Sequence, residues 1–454
     1  MSASTAQPKP TAGVTAPTVA NRHFLLKVTA AAAWGHGLDG YDLGVLSVAL
    51  PYIALQLHLS PVQLGLLGAS SLIGIFFGSL VFGWLTDRLG RKTTFSLVFI
   101  FFLITSLLQI WTATFALLFL VRIASGFAIG AEYAVGAPML AEFSPAAERG
   151  RRVSFAQVCW YSGYVLAVII GYGLLELAGV HWGYVLASAA VPAAIGLLLR
   201  RGIPESPRWL LNQGRHDEAR SIVDTYLGGD DFYTTEDLAT EGTIKNRTSW
   251  TALFRGDQRR RTLFGATMYV CLVIPYFAIF TFAPTVLKSL SISNVAAGTI
   301  TLNAIAVAGT IAGTLYVDKI GRRKLLIGPF WASTIALVLI GIWGSQLAAI
   351  VIVCFIVFAF FNSASAILIP LYPSELFPTS IRSTGSGLLT AISRVGAALG
   401  TFLLPSAIAG LGIGTTMLIG AVICVIGAVT SQRLAPETTG LNLSTTALMP
   451  ASRG

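Results

Sequence analysis

Charged residues are scarce in this chain. Only 11% of its 454 residues are Asp, Glu, Lys or Arg, whereas 54% are hydrophobic. Soluble domains carry about 25% charged residues, so the composition excludes an ordinary water-soluble globule and indicates a chain dissolved in the lipid bilayer. Apolar stretches of the length that a membrane helix needs, about 20 residues, occur twelve times. They lie near residues 29–56, 62–86, 93–112, 114–140, 152–176, 180–200, 262–286, 296–317, 325–345, 347–370, 384–408 and 412–433.

Cysteine and histidine are also rare, with four and five residues. All four cysteines fall inside predicted spans, and their spacing fits neither a metal site nor a disulfide framework (Cys159, Cys271, Cys354 and Cys424). We expect them to be small buried hydrophobes. The chain has no HExxH or GxSxG motif and no phosphate-binding Gly-x4-Gly-Lys-Ser/Thr loop. We therefore predict neither an enzyme nor an ATP-driven pump, and we predict no metal and no cofactor.

Positive charge predominates, with a net charge of +10, but it is confined to one side of the predicted bundle. Of the thirty Lys and Arg residues, Arg122 and Arg394 lie inside spans, and Lys288 lies in a loop on the far side. All the others share the side of both termini, which the positive-inside rule places in the cytoplasm. The surplus therefore indicates topology and contact with anionic lipid rather than nucleic acid. The first apolar run is too long for a cleavable signal peptide, so we expect a multi-pass protein of the plasma (cell inner) membrane.

Charged landmarks at the edges of the spans repeat at an almost constant interval. The matched landmarks are Asp87–Lys92 with Asp318–Arg323 (231 residues apart), Glu142 and Pro145 with Glu375 and Pro378 (233 apart), and Pro204–Glu205 with Pro436–Glu437 (232 apart). Agreement among these offsets indicates that two halves share one architecture. A duplicated membrane bundle of this kind is the plan of many transporters.

The repeat divides the chain into five segments. Two six-helix halves, 25–200 and 262–433, flank the charged segment 201–261, where apolar residues at helical spacing predict one or two amphipathic helices on the membrane surface. We expect a disordered cytoplasmic tail at 1–24 and a second cytoplasmic tail at 434–454. The predicted fold is an all-α polytopic membrane protein with twelve transmembrane helices in two pseudo-symmetric halves. Because two halves complete one bundle, we expect a monomer.

The motifs themselves resemble those of a known family. Residues 83–92, and their copy after span 8, resemble the cytoplasmic loop signature of the major facilitator superfamily. Other stretches resemble its sugar-porter branch and the related metabolite–proton symporters: Arg122-x3-Gly126-x3-Gly130, Glu142 with Arg149-Gly150, Pro204–Arg208, Glu375–Pro378 with Arg382, and Pro436–Thr438. The resemblance extends from about residue 35 to 440. It implies a secondary transporter that opens alternately to the two sides of the membrane.

Span 7 argues against a sugar substrate. Hexose porters usually carry a Gln-Gln…Ser-Gly-x-Asn run there, whereas residues 267–276 contain no amide side chain. Those porters also carry an aromatic residue five positions before the span-10 glutamate, where this chain has Pro370. By contrast, the run Asp-Gly-Tyr-Asp at 39–42 resembles aromatic-acid and organic-acid proton symporters, and Arg394 with residues 372–378 is similar to niacin-type and organic-ion carriers. These resemblances imply a small organic carboxylate.

Four charged residues lie deep inside predicted spans of the first half: Asp39, Asp42, Arg122 and Glu132. A charge at the bilayer centre costs about 2.5–3.5 kcal/mol on insertion scales, so such residues persist when they are paired, face water or have a function. Asp39 and Asp42 share one face of span 1, and two close carboxylates resist simultaneous ionisation. The sugar-porter resemblance implies that Arg122 lies beside Asp42. Protonation of Asp42 would then free Arg122 and let the bundle change its facing, and a static ion pair is the alternative. Glu132 is either a second proton site or part of an inner charge lock.

One cation, Arg394, lies about ten residues into span 11, roughly 15 Å deep at 1.5 Å per residue. No carboxylate is predicted inside a second-half span, so its guanidinium is a candidate bidentate site for a substrate carboxylate, unless it pairs across the halves with Asp39 or Asp42. The repeat offset places Tyr161 opposite Arg394 across the cavity. The remaining substrate candidates are Gln157, at the spacing from Arg149 that sugar porters use, with Trp160, Tyr276, Asn303 and Asn362.

The charged loop motifs predict a cytoplasmic gate. Matched opposite charges can form networks that hold one conformation and break in the other, and solvated surface charge is the alternative. The predicted gate residues are Asp87, Arg88, Arg91, Glu142, Arg149 and Glu205 in the first half and Asp318, Arg322, Glu375, Arg382 and Glu437 in the second.

These observations together predict proton-coupled, alternating-access uptake of a small organic solute, with a carboxylate as the favoured substrate. A sugar or polyol porter is the first alternative, which Gln157 favours and span 7 opposes. A drug–proton exchanger is the second, because the direction of transport is not encoded in these motifs. The predicted partners are the solute, the proton and the lipid bilayer.

Overall fold

The computed structural model describes residues 19–143, 146–227, 253–290, 292–343, 348–377 and 382–438. Within them, eleven helical stretches are long and apolar enough to cross a membrane by length and composition. The described helices are α1 Val19–Gln56, α2 Pro61–Leu89, α3 Arg91–Leu108, α4 Phe115–Phe143, α5 Ala146–Tyr172, α6 Trp182–Ala187, α7 Ala190–Leu199, α8 Pro207–Asn212, α9 His216–Ile222, α10 Gly256–Thr281, α11 Ala283–Ser289, α12 Val295–Ile320, α13 Arg322–Trp343, α14 Ala348–Ala366, α15 Leu368–Leu376 and α16 Arg382–Leu434.

The last helix, α16, contains two membrane crossings. It has 53 residues, roughly 80 Å at 1.5 Å per residue, whereas the hydrocarbon core of a bilayer is about 30 Å thick. At Gly412 φ is 79° and ψ is 162°, a backbone conformation that ends one helix and begins the next. This break falls at the predicted boundary between spans 384–408 and 412–433. The predicted fold of twelve transmembrane helices is therefore confirmed.

The repeated loop motif has the same backbone conformation in both halves. α2 is followed by the capping residue Gly90 with φ of 92°, and α12 is followed by the capping residue Gly321 with φ of 91°. A side chain would be strained at such φ values, which explains glycine at both positions. In each half the next helix begins at the following residue. The sequence repeat is therefore also a repeat of local geometry.

A carboxylate binds the start of the helix that follows each of these turns. Glu205 Oε1 accepts a hydrogen bond from the backbone N–H of Arg91 at 2.8 Å. In the second half, Glu437 accepts from the backbone N–H groups of Arg322 and Arg323 at 3.0 and 3.1 Å. A helix N-terminus has free N–H groups and a partial positive charge, so these acids stabilise the starts of α3 and α13. They also tie each start to the segment that follows the last helix of the same half.

Small residues let α4 approach α2 closely. A side chain at Gly126 would overlap the Ser71 carbonyl, and one at Gly130 would overlap the Ile75 carbonyl. Residues four apart on a helix share a face, so Arg122 lies one turn along the face that these two glycines press against α2. The motif Arg122-x3-Gly126-x3-Gly130 therefore delivers a charged side chain into the interior of the first half.

Side-chain hydrogen bonds join the two halves on the side of the bundle opposite the repeated loops. Ser47 and Tyr164 each donate a hydroxyl to the carbonyl of Phe280, at 2.9 and 3.0 Å. Nearby, the hydroxyls of Tyr172 and Thr299 lie 3.3 Å apart. Helices α2 and α16, and α5 and α12, also pack across the halves. The described conformation is therefore held together at this end.

Parts of the predicted segments lie outside the described residues, namely 1–18, 228–252 and 439–454. Helix α1 begins at Val19, inside the predicted tail 1–24. In the central segment, α8 and α9 are short helices that bury Leu210 and Ala219.

Candidate functional site

An ion pair without contact to solvent joins α1 and α4. Arg122 Nη1 donates to Asp42 Oδ1 at 2.9 Å, Nη2 lies 2.8 Å from Oδ2, and both side chains are 0% exposed. Arg122 also donates to Ser71 Oγ at 2.6 Å, and Ser125 donates its hydroxyl to Asp42 at 3.1 Å. The opposite charges and the hydrogen bonds offset the cost of burying both ions, and loss of either partner would leave the other uncompensated. The two residues expected to lie side by side are thus in direct contact.

Asp39, one helical turn before Asp42, has a different environment. It is 1% exposed, and neither carboxylate oxygen has a hydrogen-bond partner in the described part of the chain. The charged groups that interact with it are the acids Glu132 and Asp42 and the cations Arg200 and Arg394. An unpaired ion in the protein interior costs several kcal/mol. Asp39 is therefore an acid whose protonation breaks no ion pair.

A second buried ion pair involves a residue that the sequence did not single out. Arg200 Nη2 lies 2.6 Å from Glu132 Oε2, and both side chains are 1% exposed. The Arg200 guanidinium also lies over the rings of Phe95 and Phe99, at 3.1 and 3.6 Å from the centroids, and it donates to the Phe95 carbonyl. Cation–π contacts of this kind stabilise a desolvated guanidinium. Of the two roles predicted for Glu132, this pair favours the inner charge lock.

A cavity of about 210 Å³ lies between the two halves. Six of the seven predicted substrate residues line it: Gln157, Trp160, Tyr161, Tyr276, Asn362 and Arg394. Helices α5, α10, α14 and α16 contribute them, so candidates distant in sequence meet at one site. The seventh, Asn303, is not among the lining residues. Its Nδ2 donates to the carbonyl of Thr299 in its own helix at 2.8 Å.

Arg394 is 8% exposed and lies between aromatic rings of both halves. Its guanidinium carbon is 5.4 Å from the ring centroid of Tyr133 in α4 and 5.7 Å from that of Phe277 in α10. Its Nε and Nη1 are buried and have no hydrogen-bond partner among the described residues. The alternative ion pair across the halves is not formed, since Asp42 is bound to Arg122 and both Asp39 oxygens lack a partner. Arg394 therefore has two hydrogen-bond donors that no described residue uses.

Aromatic side chains form the wall of the cavity. Trp160 donates its indole N–H to the Tyr133 hydroxyl at 3.1 Å, and its ring packs edge-on against Tyr161 with centroids 5.1 Å apart. Tyr276 stacks on Phe280 with centroids 4.2 Å apart. These contacts fix the rings in place and leave a flat, mostly apolar space. No carboxylate is among the described residues that line it.

Sequence reasoning missed several lining residues, of which His36 and Tyr133 are the most informative. His36 shares a ring contact with Tyr133 at 5.7 Å and bonds through Nδ1 to the Ala32 carbonyl at 3.2 Å. Ionisable residues inside membrane spans are rare and often functional. The same rule, applied to histidine as well as to acids and arginines, identifies His36 as a candidate site residue. Across the described residues, no cluster of His, Cys, Asp and Glu could hold a metal ion.

The described gate residues form contacts within each half. Arg322 Nη1 lies 2.7 Å from Asp318 and Nη2 lies 3.2 Å from Glu375, which in turn accepts a hydrogen bond from Thr438 at 2.5 Å. Glu205 and Glu437 bind helix starts, as described above. Arg88 lies in the last turn of α2, and Arg91 begins α3. The side chains of the remaining gate candidates lie outside the described part of the chain: Asp87, Glu142, Arg149 and Arg382.

Two similar six-helix halves with buried charges beside a cavity at their interface define a secondary transporter of the major facilitator fold. The chain matches the family described as sugar (and other) transporter over residues 28–449. It belongs to that family, which confirms the resemblance inferred from the loop motifs. Since the family consists of transporters, the chain is a multi-pass membrane transporter and not an enzyme.

Comparison with individual proteins agrees with this family assignment. The inner membrane metabolite transport protein YgcS of Escherichia coli (strain K12) is 38% identical over 425 residues, which cover 92% of this chain and 93% of that protein. The proton:xylose symporter XylE, solved with 6-bromo-6-deoxy-D-glucose, has a TM-score of 0.74 and 23% identity, covering 94% of this chain and 99% of its own. An inward open structure of XylE from E. coli has a TM-score of 0.76 and 24% identity, covering 92% and 98%. At these identities the likeness to XylE concerns the fold.

Proposed function

We propose that this transporter takes up a small organic carboxylate together with a proton. The observation that carries the proposal is the buried Arg394 guanidinium. Among the described residues it has no ion-pair partner, and the cavity that it lines has no acid. A guanidinium binds a carboxylate through two parallel hydrogen bonds, and low local dielectric strengthens both. The volume of about 210 Å³ is below the roughly 300–1,000 Å³ of sites for drug-sized ligands, which favours a small solute.

The proton acts, in this proposal, on the acids of α1. Protonation of Asp42 removes the opposite charge from Arg122, whose buried guanidinium must then find another partner or water. A conformational change that brings another partner or water to Arg122 is therefore favoured only when Asp42 is protonated. Proton binding is thereby coupled to the change in which side of the membrane the transporter opens to. Asp39 provides a second site for the proton next to the cavity. The static ion pair remains the alternative that the experiments below address.

Energetics define the decisive experiment. A monoanion carried with one proton moves no net charge, so a pH gradient alone should drive it. If one charge moved instead, 100 mV would contribute about 2.3 kcal/mol, or roughly fiftyfold accumulation. We would reconstitute the protein in vesicles, impose pH gradients and potassium diffusion potentials separately, and follow labelled benzoate. Accumulation that follows pH and ignores voltage is expected. Accumulation that follows voltage alone would exclude this stoichiometry, and the absence of saturable entry would exclude the substrate class.

A sugar or polyol porter is the second candidate. Gln157 lines the cavity with a half-buried amide, at the position where sugar porters place a substrate-contacting glutamine. The similar solved structures are of a xylose transporter. Uptake of labelled xylose and glucose into the same vesicles tests whether the protein transports sugars. Saturable sugar entry that carboxylates fail to inhibit would replace the carboxylate with a sugar.

We further propose that the termini and the central segment lie in the cytoplasm. We also propose that the charged loops form the cytoplasmic gate and that the protein acts as a monomer. Because Glu205 and Glu437 bind helix starts within their own halves, each half is braced as a unit and can rock as a rigid body. Cysteine labelling of Gly454 and Asp217 from either side of the membrane tests the topology. Labelling of these two positions from opposite sides would disprove it.

A further inference from the structure

Asp39 and Arg394 are buried opposite charges from different halves that do not form an ion pair. Asp39 is 1% and Arg394 8% exposed. Both carboxylate oxygens of Asp39, and Nε and Nη1 of Arg394, have no hydrogen-bond partner among the described residues. The two groups nevertheless lie close enough to interact electrostatically. The state of one charge therefore affects the other across the interface between the halves.

Tyr133 interacts with both of these charges. Its ring centroid lies 5.4 Å from the Arg394 guanidinium carbon, and its side chain also interacts with Asp39. Tyr133 and Arg394 both line the central cavity. In a buried environment of low dielectric, charges act on one another more strongly than in water. A change of charge in this part of the cavity therefore acts on Asp39.

The other charged groups around Asp39 already have partners of opposite charge. The groups that interact with it are Glu132, Asp42 and Arg200. Glu132 pairs with Arg200 at 2.6 Å. Asp42 is bound to Arg122. Opposite charges in direct contact largely cancel each other's field at a distance. Among the described residues, the guanidinium at the cavity is therefore the charge that offsets an ionised Asp39.

A proton can reach Asp39 from the cavity along α1. His36, three residues earlier and on the same helical face, lines the cavity. Its Nδ1 lies 3.2 Å from the Ala32 carbonyl, which can only accept, so Nδ1 carries the hydrogen and Nε2 of the neutral ring can bind a proton. On the other side of this turn, α5 packs the uncharged Trp160 carbonyl against Gly40. The cavity side is therefore the polar approach to Asp39.

Resting on the proposed function above, we infer that Asp39 takes up the transported proton when a carboxylate binds Arg394. The bound anion neutralises the guanidinium and removes the charge that offsets an ionised Asp39. A buried carboxylate without a counter-charge is costly, so it binds a proton instead. The proton comes from solvent that enters the cavity, forms an O–H bond on the Asp39 carboxylate and breaks no ion pair. It is then held one helical turn from Asp42, the acid on which the proposed change of facing depends.

Calorimetry on the purified full-length protein tests this linkage with benzoate as the probe. Titrations in phosphate and in Tris, which differ in ionisation enthalpy, give the number of protons taken up per benzoate across a series of pH values. Wild type should take up about one proton, and its affinity should then fall about tenfold per unit of pH, because linkage is reciprocal. Asp39→Asn carries a neutral side chain of similar shape. It should bind benzoate without proton uptake and with an affinity that pH does not change, which also shows that the variant is folded.

Three further variants are measured in the same titrations: Asp42→Asn, His36→Gln and, as the matched exposed control, Asp217→Asn. All three should keep the proton uptake, because Asp39 is intact. A second readout on wild type is infrared difference spectroscopy, in which the band of a protonated carboxyl group should appear when benzoate binds. Asp39→Glu should shift that band, which assigns it even if Asp39→Asn does not fold.

Several results would overturn the inference while the proposed function stands. One is benzoate binding to wild type with no proton uptake at any pH. The others are uptake that persists in Asp39→Asn, or uptake that is lost in Asp42→Asn or His36→Gln, since the proton would then belong to another residue. If neither benzoate nor any other carboxylate binds wild type, the proposed function fails and this inference fails with it.

Discussion

Arg122 binds both carboxylate oxygens of Asp42, with Nη1 2.9 Å from Oδ1 and Nη2 2.8 Å from Oδ2, and neither side chain is exposed. Three residues earlier, Asp39 is equally buried and has no hydrogen-bond partner. The two acids share one helical face but differ in the contacts that protonation would break. For Asp42, the gain of a proton breaks an ion pair and perturbs the contact between α1 and α4. Of the two acids, Asp42 is therefore the one on which the proposed coupling mechanism depends.

Replacement of Asp42 by Asn should separate transport from energy coupling. Asparagine keeps the shape and a hydrogen-bond acceptor for Arg122, but it cannot exchange a proton. We expect Asp42→Asn to abolish accumulation driven by a pH gradient and to retain exchange of labelled for unlabelled solute across vesicles. Asp217→Asn, on the exposed helix α9, is the matched control and should transport normally. Uphill uptake by Asp42→Asn would favour the static ion pair.

The pair between Glu132 and Arg200 should contribute to stability rather than to coupling. Removal of one member of a buried pair leaves an uncompensated ion and typically costs about 3–5 kcal/mol. We expect Glu132→Gln and Arg200→Met each to lower the free energy of unfolding by about this amount. The double variant should lose less than the sum, because no unpaired charge remains.

Denaturant or thermal unfolding in detergent measures this cycle. The exposed pair of Arg215 and Glu218, with side chains 49% and 56% exposed, is the control, and its removal should change little. Additive losses from the two buried substitutions would show that the residues do not act as a pair. Loss of proton coupling in a stable Glu132→Gln protein would instead favour the second proton site.

The environment of Arg200 could not be predicted from the sequence. The spans, the repeat and the pairing of Arg122 with Asp42 follow from apolar length, loop motifs and the family resemblance, which depend on local sequence. The burial of Arg200 depends on Phe95 and Phe99, residues of another helix whose rings cover a guanidinium at the edge of a span. Asn303 shows a different limit. A polar residue in a span can bond to its own helix, as Asn303 does with Thr299, instead of facing a cavity.

The contact between Tyr164 and Phe280 should bias which side of the transporter is open. The Tyr164 hydroxyl donates to the Phe280 carbonyl at 3.0 Å between the halves, on the side opposite the repeated loops. Tyr164→Phe removes that bond, worth about 0.5–1.5 kcal/mol, so the population open at this end should rise by roughly two- to tenfold.

Spin labels at Val62 and Ser293, exposed at this end in the two halves, would report the change as a longer inter-label distance. Tyr41→Phe is the control, because its hydroxyl bonds to Ser188 within the first half at 2.8 Å. It should leave the distance distribution unchanged. An equal shift in both variants would show that loss of a tyrosine hydroxyl, and not the bond between the halves, is responsible.

Arg394 allows a substrate role to be separated from a structural one, because binding and stability should change in different directions. A hydrogen bond to a charged group contributes about 1.5–3 kcal/mol, so Arg394→Gln should weaken carboxylate binding by roughly ten- to 150-fold. Arg394→Lys keeps the charge but not the planar guanidinium, so its affinity for carboxylates should lie between those of wild type and Arg394→Gln.

Replacement of a residue that holds the fold together would lower the stability of the protein. Arg394 instead has a buried guanidinium with unpartnered Nε and Nη1, so its replacement by a neutral side chain should leave the Tm unchanged or raise it. Arg323→Gln, which removes a guanidinium that donates to the Gln432 carbonyl away from the cavity, should leave binding intact. A fall in Tm together with unchanged affinity for every acid would make Arg394 a structural residue and remove the main support for a carboxylate substrate.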